Sequence, residues 1–304
     1  MIIDFIQGAS EFLGTVAFVL VIMELSFLAE EFFKTRFEIR RGFSGTGTSI
    51  LEILKRHLLK ILRIEGIWKD HVAFGLRAVP FFIAVGLLPI WSYRPGIENA
   101  YSFWIFGGIM VSTPLLSMIC QWSSNKGAGW PFNLISAERA LGGATALFIL
   151  QITLVALTGE DTFEGFSHIQ QHAWLIVQAP LSILLLIGFV TVAFFASFQT
   201  VFSKSHRFDK KDGWGFDDFF PSLNRVVWII FVANIFLGGA PDFFGVGGFV
   251  LILKCVIVNV VAGIFSQIYF SFREDQAENF ILWSLTPATI GTLIFSLILP
   301  GHRT

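Results

Sequence analysis

Residues 247–283, GGFVLILKCVIVNVVAGIFSQIYFSFREDQAENFILW, decide how this chain is read. The first 24 positions, Gly247 to Phe270, hold one charge, Lys254. As a helix that run is ~36 Å long, enough to cross a ~30 Å hydrocarbon layer. Arg273, Glu274, Asp275 and Glu278 then fall within six positions, and the chain turns apolar again. A helix apolar on all sides is buried in a large protein or lies in a membrane. Two such runs joined by a short ionic gap read as two membrane spans and a tight loop.

The rest of the sequence agrees. Of 304 residues, 54% are hydrophobic and only 14% charged, against ~25% charged in ordinary soluble domains. Mean hydropathy is +0.71. Phenylalanine, at 36 residues, suits a lipid-facing surface. The net charge of −1 says nothing about partners. The expected architecture is an all-α, multi-pass membrane protein, one integral domain over residues 1–304, with about eight spans. They fall near 11–29, 72–93, 101–121, 140–158, 175–199, 224–244, 247–270 and 279–299. The runs are continuous, so helices rather than a barrel satisfy the backbone in lipid. Trp68, Trp91, Trp104, Trp122, Trp174 and Trp228 stand near predicted ends, where interfacial anchors belong. The opening MIIDFIQGASEF does not read as a signal peptide, since it carries Asp4 where lysine or arginine is expected.

Positive charge sets the orientation. Seventeen of 21 Lys and Arg residues fall in the loops after spans one, three, five and seven, Arg225 among them. Arg94 and Arg303 fall on the other side, and Arg77 and Lys254 within spans. By the positive-inside rule those loops (30–70, 200–223 and 271–279 the notable ones) are internal and both termini face outward. The membrane is then a bacterial or archaeal plasma membrane or an organellar inner membrane. Within the first loop, SILEILKRHLLKILRI (49–64) reads as an amphipathic surface helix ~24 Å long. Its apolar face includes Leu54 and Leu58; Lys55, Arg56, Lys60 and Arg63 make the polar one. It suits a membrane surface and, compatibly, a docked partner protein. The acidic outer segment GEDTFEGFSHIQQHAW (159–174) suits a short surface helix.

Few charges remain inside spans, where they are costly and face protein or water. Glu24 and Arg77 either snorkel to the inner interface or face inward. Lys254 lies deeper, which favours an internal pair or a hydrated cavity. His168 and His172 share a helical face at zinc-compatible spacing, but no third ligand is evident and a surface turn is favoured. The glycine-rich FSGTGTS (43–49) lacks the Gly-Lys-Ser/Thr ending of a phosphate loop. Cys120 and Cys255 have neither metal nor redox spacing. No metal site, catalytic triad or nucleic-acid surface is expected.

In its ordering and motifs the chain resembles the heel subunit of respiratory complex I (NADH dehydrogenase subunit 1 and its bacterial counterparts). It also resembles the related membrane anchor of group 4 membrane-bound [NiFe] hydrogenases. The family follows its first span with Glu-Arg-Lys and then Gln-x-Arg-x-Gly-Pro; here Glu30, Glu38, Arg40, Gly42 and Phe43 take the corresponding places. SILEILKRHLLKIL matches its leucine-rich first-loop stretch, and HAWLIVQAPLSILLLIGFVTVAFFAS its fifth span with Gln178-x-Pro180. Arg273, Asp275 and Gln276 match Arg-x-Asp-Gln, with Ala277 and Trp283 echoing the hydrogenase branch. Departures are equally specific. Ser197 stands where the fifth internal loop has a glutamate, and Phe148 stands near the glutamate of the fourth span.

What the resemblance implies is a subunit of a complex-I-like oxidoreductase with no metal centre of its own. Its partners are other membrane subunits, the lipid bilayer and a peripheral hydrogenase-like module holding iron–sulfur clusters. Quinone is an expected ligand in one branch. Glu24, Glu30, Glu138, Arg139 and Lys254 are candidates for the quinone or proton path, with Arg36, Arg40, Arg41 and Asp217 at the quinone mouth. A reduced quinone develops negative charge, which arginines stabilise. Arg273, Asp275, Gln276, Glu278, Leu54 and Leu58 form the expected docking face. The missing glutamates leave open a second reading, a structural anchor without its own proton path. A secondary transporter would show an internal repeat, and none is found between the halves. Replacing Leu54 and Leu58 with glutamate is expected to release the peripheral module on purification from membranes; an intact purified complex would rule out that docking helix.

Overall fold

A computed structural model describes residues 10, 12–26, 28–29, 71–88, 101–124, 145–170, 173–190, 216–239, 246–268, 287, 290–292 and 294. All regular structure among them is helical. We label the helices α1 (Phe12–Ser26), α2 (His71–Leu87), α3 (Ser102–Ser124), α4 (Thr145–Thr158), α5 (Phe163–Ile169), α6 (Leu175–Gln178), α7 (182–190), α8 (Phe216–Phe236) and α9 (Gly248–Ile268). Residues 287, 290–292 and 294 are helical too, inside the expected eighth span. Among the described residues no single helix is long and apolar enough to cross a membrane; α4 and α5 pass together, bent by 48° at their break.

Helix α8 is the centre. From Val226 to Phe236 every residue except Asn234 is buried. It packs against α2, α5, α6 and α9. The sequence explains this placement, since VVWIIFVANIF is apolar on all faces and leaves no side for solvent. Its Phe231 ring stacks on Phe106 of α3 at 4.9 Å and 11°, and lies edge-on to Trp228 at 5.3 Å and 88°. Phe103, Phe163 and Phe189 complete the cluster around it. Offset and edge-to-face aromatic pairs of this kind add about 0.5–1.5 kcal/mol each beyond burial.

Three expectations are corrected here. Phenylalanine is not confined to a lipid-facing role: Phe103, Phe106, Phe163, Phe166, Phe189, Phe231 and Phe236 are core residues, while Phe12, Phe82, Phe148 and Phe249 face outward. Trp228 is 3% exposed in that core rather than an interfacial anchor, because it lies three turns inside α8 and not at its end. The sixth helix runs over Phe216–Phe236 rather than 224–244, and Arg225 therefore lies inside it rather than in a loop. It stops where Gly238 and Gly239 take φ of +72° and +43°, a left-handed path that glycine adopts without strain.

The described part of the expected fifth span is also not one straight helix. Leu175–Gln178 and 182–190 are separated at Pro180. Ala179 is extended at φ −127° and ψ 91°, as the residue before proline tends to be. The Gln178 amide donates to the carbonyls of Ile169 and Ala173, both at 2.8 Å, and so ties α6 to the end of α5. The short outer helix expected in 159–174 is present as α5, with Thr162 as its N-cap accepting from the Gly165 amide at 3.1 Å. The amphipathic helix 49–64 lies outside the described residues.

Phe231→Ala is expected to lower stability by about 3–5 kcal/mol, read as thermal unfolding of the purified full chain. A change below ~1 kcal/mol would show that the aromatic cluster collapses around the gap.

Candidate functional site

Among the described residues two polar ties cross the apolar interior, and both end on α8. The first lies in its N-terminal half. Arg225 Nη2 donates to Asn259 Oδ1 of α9 at 2.7 Å, and Asn259 Nδ2 donates to the Ser26 carbonyl of α1 at 3.0 Å. Asn259 is 1% exposed. One guanidinium and one amide thus join three helices. A carboxamide suits the position because it accepts from the arginine and donates to the carbonyl at once. Ser26 lies in α1, and residues 28 and 29 beyond it are helical too. Glu24 sits half a turn earlier on α1, partly buried, its Oε1 shielded from solvent. The neighbouring Asn224 has its Oδ1 buried without a partner.

The second tie is at the other end of α8. Gln170 Nε2 donates to the carbonyls of Ile235 at 2.7 Å and Asn234 at 3.2 Å. Lys254 Nζ donates to the carbonyls of Leu237 at 2.6 Å and Gly239 at 2.9 Å. It also lies 5.4 Å from the centre of the Trp174 ring. The internal partner expected for Lys254 exists, but it is a helix terminus rather than a carboxylate. The C-terminal carbonyls carry the negative end of the helix dipole, which favours a cation there.

Another buried polar group stands in α4. Gln151 is 1% exposed, and its Nε2 has no partner. A side chain on Gly107 of α3 would run into that amide, so glycine there makes room for it. Phe148, near the place where the resemblance puts a glutamate, is 54% exposed and turned outward.

Of the sequence-derived candidates, the structure places Glu24 on α1, two residues before Ser26, and Lys254 in the second tie. Asp217 falls in the first turn of α8. Glu30, Arg36, Arg40, Arg41, Glu138, Arg139, Leu54, Leu58, Arg273, Asp275, Gln276 and Glu278 lie outside the described residues, as does His172. His168 is exposed, and among the described residues no cluster of metal-ligating groups forms. Arg225, Asn259, Gln170 and Gln151 are not among the candidates from sequence. Asn259 and Gln151, lone amides in apolar runs, carried a usable signal; a search restricted to charged groups passes over them.

The fold defined by these helices has a known counterpart. The chain is similar to one in a solved structure described as that of the membrane-bound sulfane sulfur reductase (MBS), an archaeal respiratory membrane complex. The TM-score is 0.65 at 18% sequence identity, over 93% of this chain and 99% of that one. The likeness establishes the fold. No protein-family profile matches the chain, and no curated protein matches it.

The Arg225–Asn259 tie is testable by a double-mutant cycle. Arg225→Leu and Asn259→Leu should each destabilise the chain, with a coupling of about 1 kcal/mol in chemical unfolding. Strict additivity would mean that the two side chains act independently.

Proposed function

We propose that this chain is the membrane-embedded subunit of a multisubunit, complex-I-like oxidoreductase of the NADH:quinone or membrane-bound hydrogenase type. In this reading it crosses the membrane about eight times with both termini outside. It docks a peripheral electron-transfer module that carries the iron–sulfur clusters. It also contributes to a quinone site, to coupled proton translocation, or to both. The observation that carries the proposal is the likeness of fold to a respiratory-complex chain over nearly the full length of both.

The outer surface supports the membrane part. Val246, Phe249, Leu253, Ile257 and Val261 are all exposed, at steps of three and four along one side of α9 and the residues just before it. That stripe is ~22 Å long. Leu251, Cys255 and Asn259 occupy the opposite, buried side. An exposed apolar band of this length suits acyl chains or a neighbouring membrane subunit.

In the proposed roles, Arg36, Arg40, Arg41 and Asp217 stand at the quinone mouth. Glu24, Glu30, Glu138, Arg139 and Lys254 serve the quinone or proton path. Arg273, Asp275, Gln276 and Glu278, with Leu54 and Leu58, hold the peripheral module. The second reading, a membrane anchor without a proton path, has one observation in its favour. Where a path through α4 would want a carboxylate facing inward, Phe148 faces out and the buried side chain is the neutral Gln151.

One experiment separates the two. The complex is purified through a tag on this chain, reconstituted in liposomes and compared with its Asp275→Asn form for electron transfer and proton uptake. The proposal expects co-purified iron–sulfur subunits and loss of proton uptake in the variant. Undiminished uptake would exclude a proton-path role for Asp275 and leave it as a docking residue. Purification of the chain without redox partners would overturn the oxidoreductase reading itself.

A further inference from the structure

The C-terminal end of α8 gathers more acceptor oxygens than a helix end needs for its own closure. The carbonyls of Leu237 and Gly239 converge on one point, where both accept from Lys254 Nζ. They converge because Gly238 and Gly239 both take left-handed backbone angles, of φ +72° and +43°. A side chain at either place would be strained by its φ. It would also crowd its surroundings, since Trp174 Cδ1 lies 3.2 Å from where a Gly238 side chain would begin.

Two more oxygens border the same turn. Gln170 Oε1 lies 3.6 Å from the Gly238 Cβ position, and Asn234 Oδ1 lies 2.7 Å from that of Gly239. Gln170 is 8% exposed, and its Oε1 is buried with no partner. The Trp174 ring lies within cation–π range of the same point. Backbone carbonyls at a helix C-terminus, a spare amide oxygen and an aromatic face are the chemistry that selects a dehydrated monovalent cation. Nothing in this set suits an anion.

We propose that the C-terminal end of α8 is a binding site for a small monovalent cation, and that the ammonium of Lys254 is the cation it holds. Lys254 is thereby a tethered ion. Its charge neutralises the carbonyl cluster and locks α9, the α8 terminus and the Trp174 segment together. No free ion enters while the lysine is in place. The assignment rests on this geometry alone and is independent of any redox role for the chain.

Removing the tether should turn the site into one that takes a free ion. The probes are potassium and methylammonium, with choline at equal concentration as a cation too large to enter. Lys254→Gly leaves the space open, and Lys254→Met fills it without charge. The full chain is purified from membranes in its complex, and thermal unfolding is followed in each salt. The glycine variant should melt lower than the native chain in choline. It should recover by about 2–4 °C or more in potassium or methylammonium, in a saturable way. The native chain and the methionine variant should not respond. A glycine variant that melts alike in all three salts overturns the proposal. Lys254→Arg covers the case in which the glycine variant does not accumulate. Arginine keeps the charge, so its variant should accumulate and melt above the methionine one. Equal behaviour of the arginine and methionine forms, including failure of both, overturns the proposal.

Discussion

A helix buried on all sides must find partners for its polar groups inside the protein, and from Val226 to Phe236 α8 is nearly such a helix. Its middle is solved by packing: VVWIIFVANIF offers apolar surface in every direction, and the rings of α3, α5 and α7 close around Phe231. Its polar groups have no such freedom. An unsatisfied carbonyl in an apolar interior costs several kcal/mol, so the chain brings donors to it. Gln170 comes from the end of α5 and Lys254 from the next helix, and together they cover four carbonyls between Asn234 and Gly239. The arginine in its N-terminal half is met in the same way, by an asparagine that hands the hydrogen-bond chain on to α1.

These ties fix more than local geometry. Lys254 meets residues 237 and 239, while Asn259 meets Arg225, so contacts advance along α9 as they retreat along α8. The two helices are antiparallel neighbours held at two heights by polar contacts and between them by apolar packing. Around this centre the other elements are broken where the sequence breaks them. Pro180 divides α6 from α7, and the turn after Gly159 bends α4 away from α5 by 48°. Each break places short helices on the α8 terminus, where Gln170 and Trp174 are used. The outward face is the reverse of a soluble protein's, with valine, isoleucine, leucine and phenylalanine exposed in helical rows.

Much of this is legible in the residues. The helices α1, α4 and α9 fall within the apolar runs that predict them, and α2 and α3 overrun theirs by one and three residues, because a run of some 20 apolar residues has one secondary structure available to it in lipid. The short helix α5 follows from its Thr162 cap and the turn signals around it. Boundaries are legible only where a breaker is weighed against hydropathy. LGGAP after Phe236 ends α8 eight residues before hydropathy alone does, because two left-handed glycines cannot continue a helix. Trp228 reads as an anchor in sequence because tryptophan favours membrane interfaces, yet the same residue serves a core when the helix start moves eight residues upstream.

The sequence by itself determined that the fold is all-helical and apolar on its outer faces. Those properties follow from composition and period, which act locally. Only the tertiary structure decided what the polar residues inside the apolar runs are for. Among the described residues the partners of Lys254 lie outside its own helix; they are backbone carbonyls 15 and 17 positions earlier in the chain. Asn259 reaches a carbonyl 233 positions away. Backbone carbonyls leave no mark in a sequence, since every residue has one. Which of them are orphaned, and which side chain arrives to satisfy them, is settled by where the helices end and how they cross.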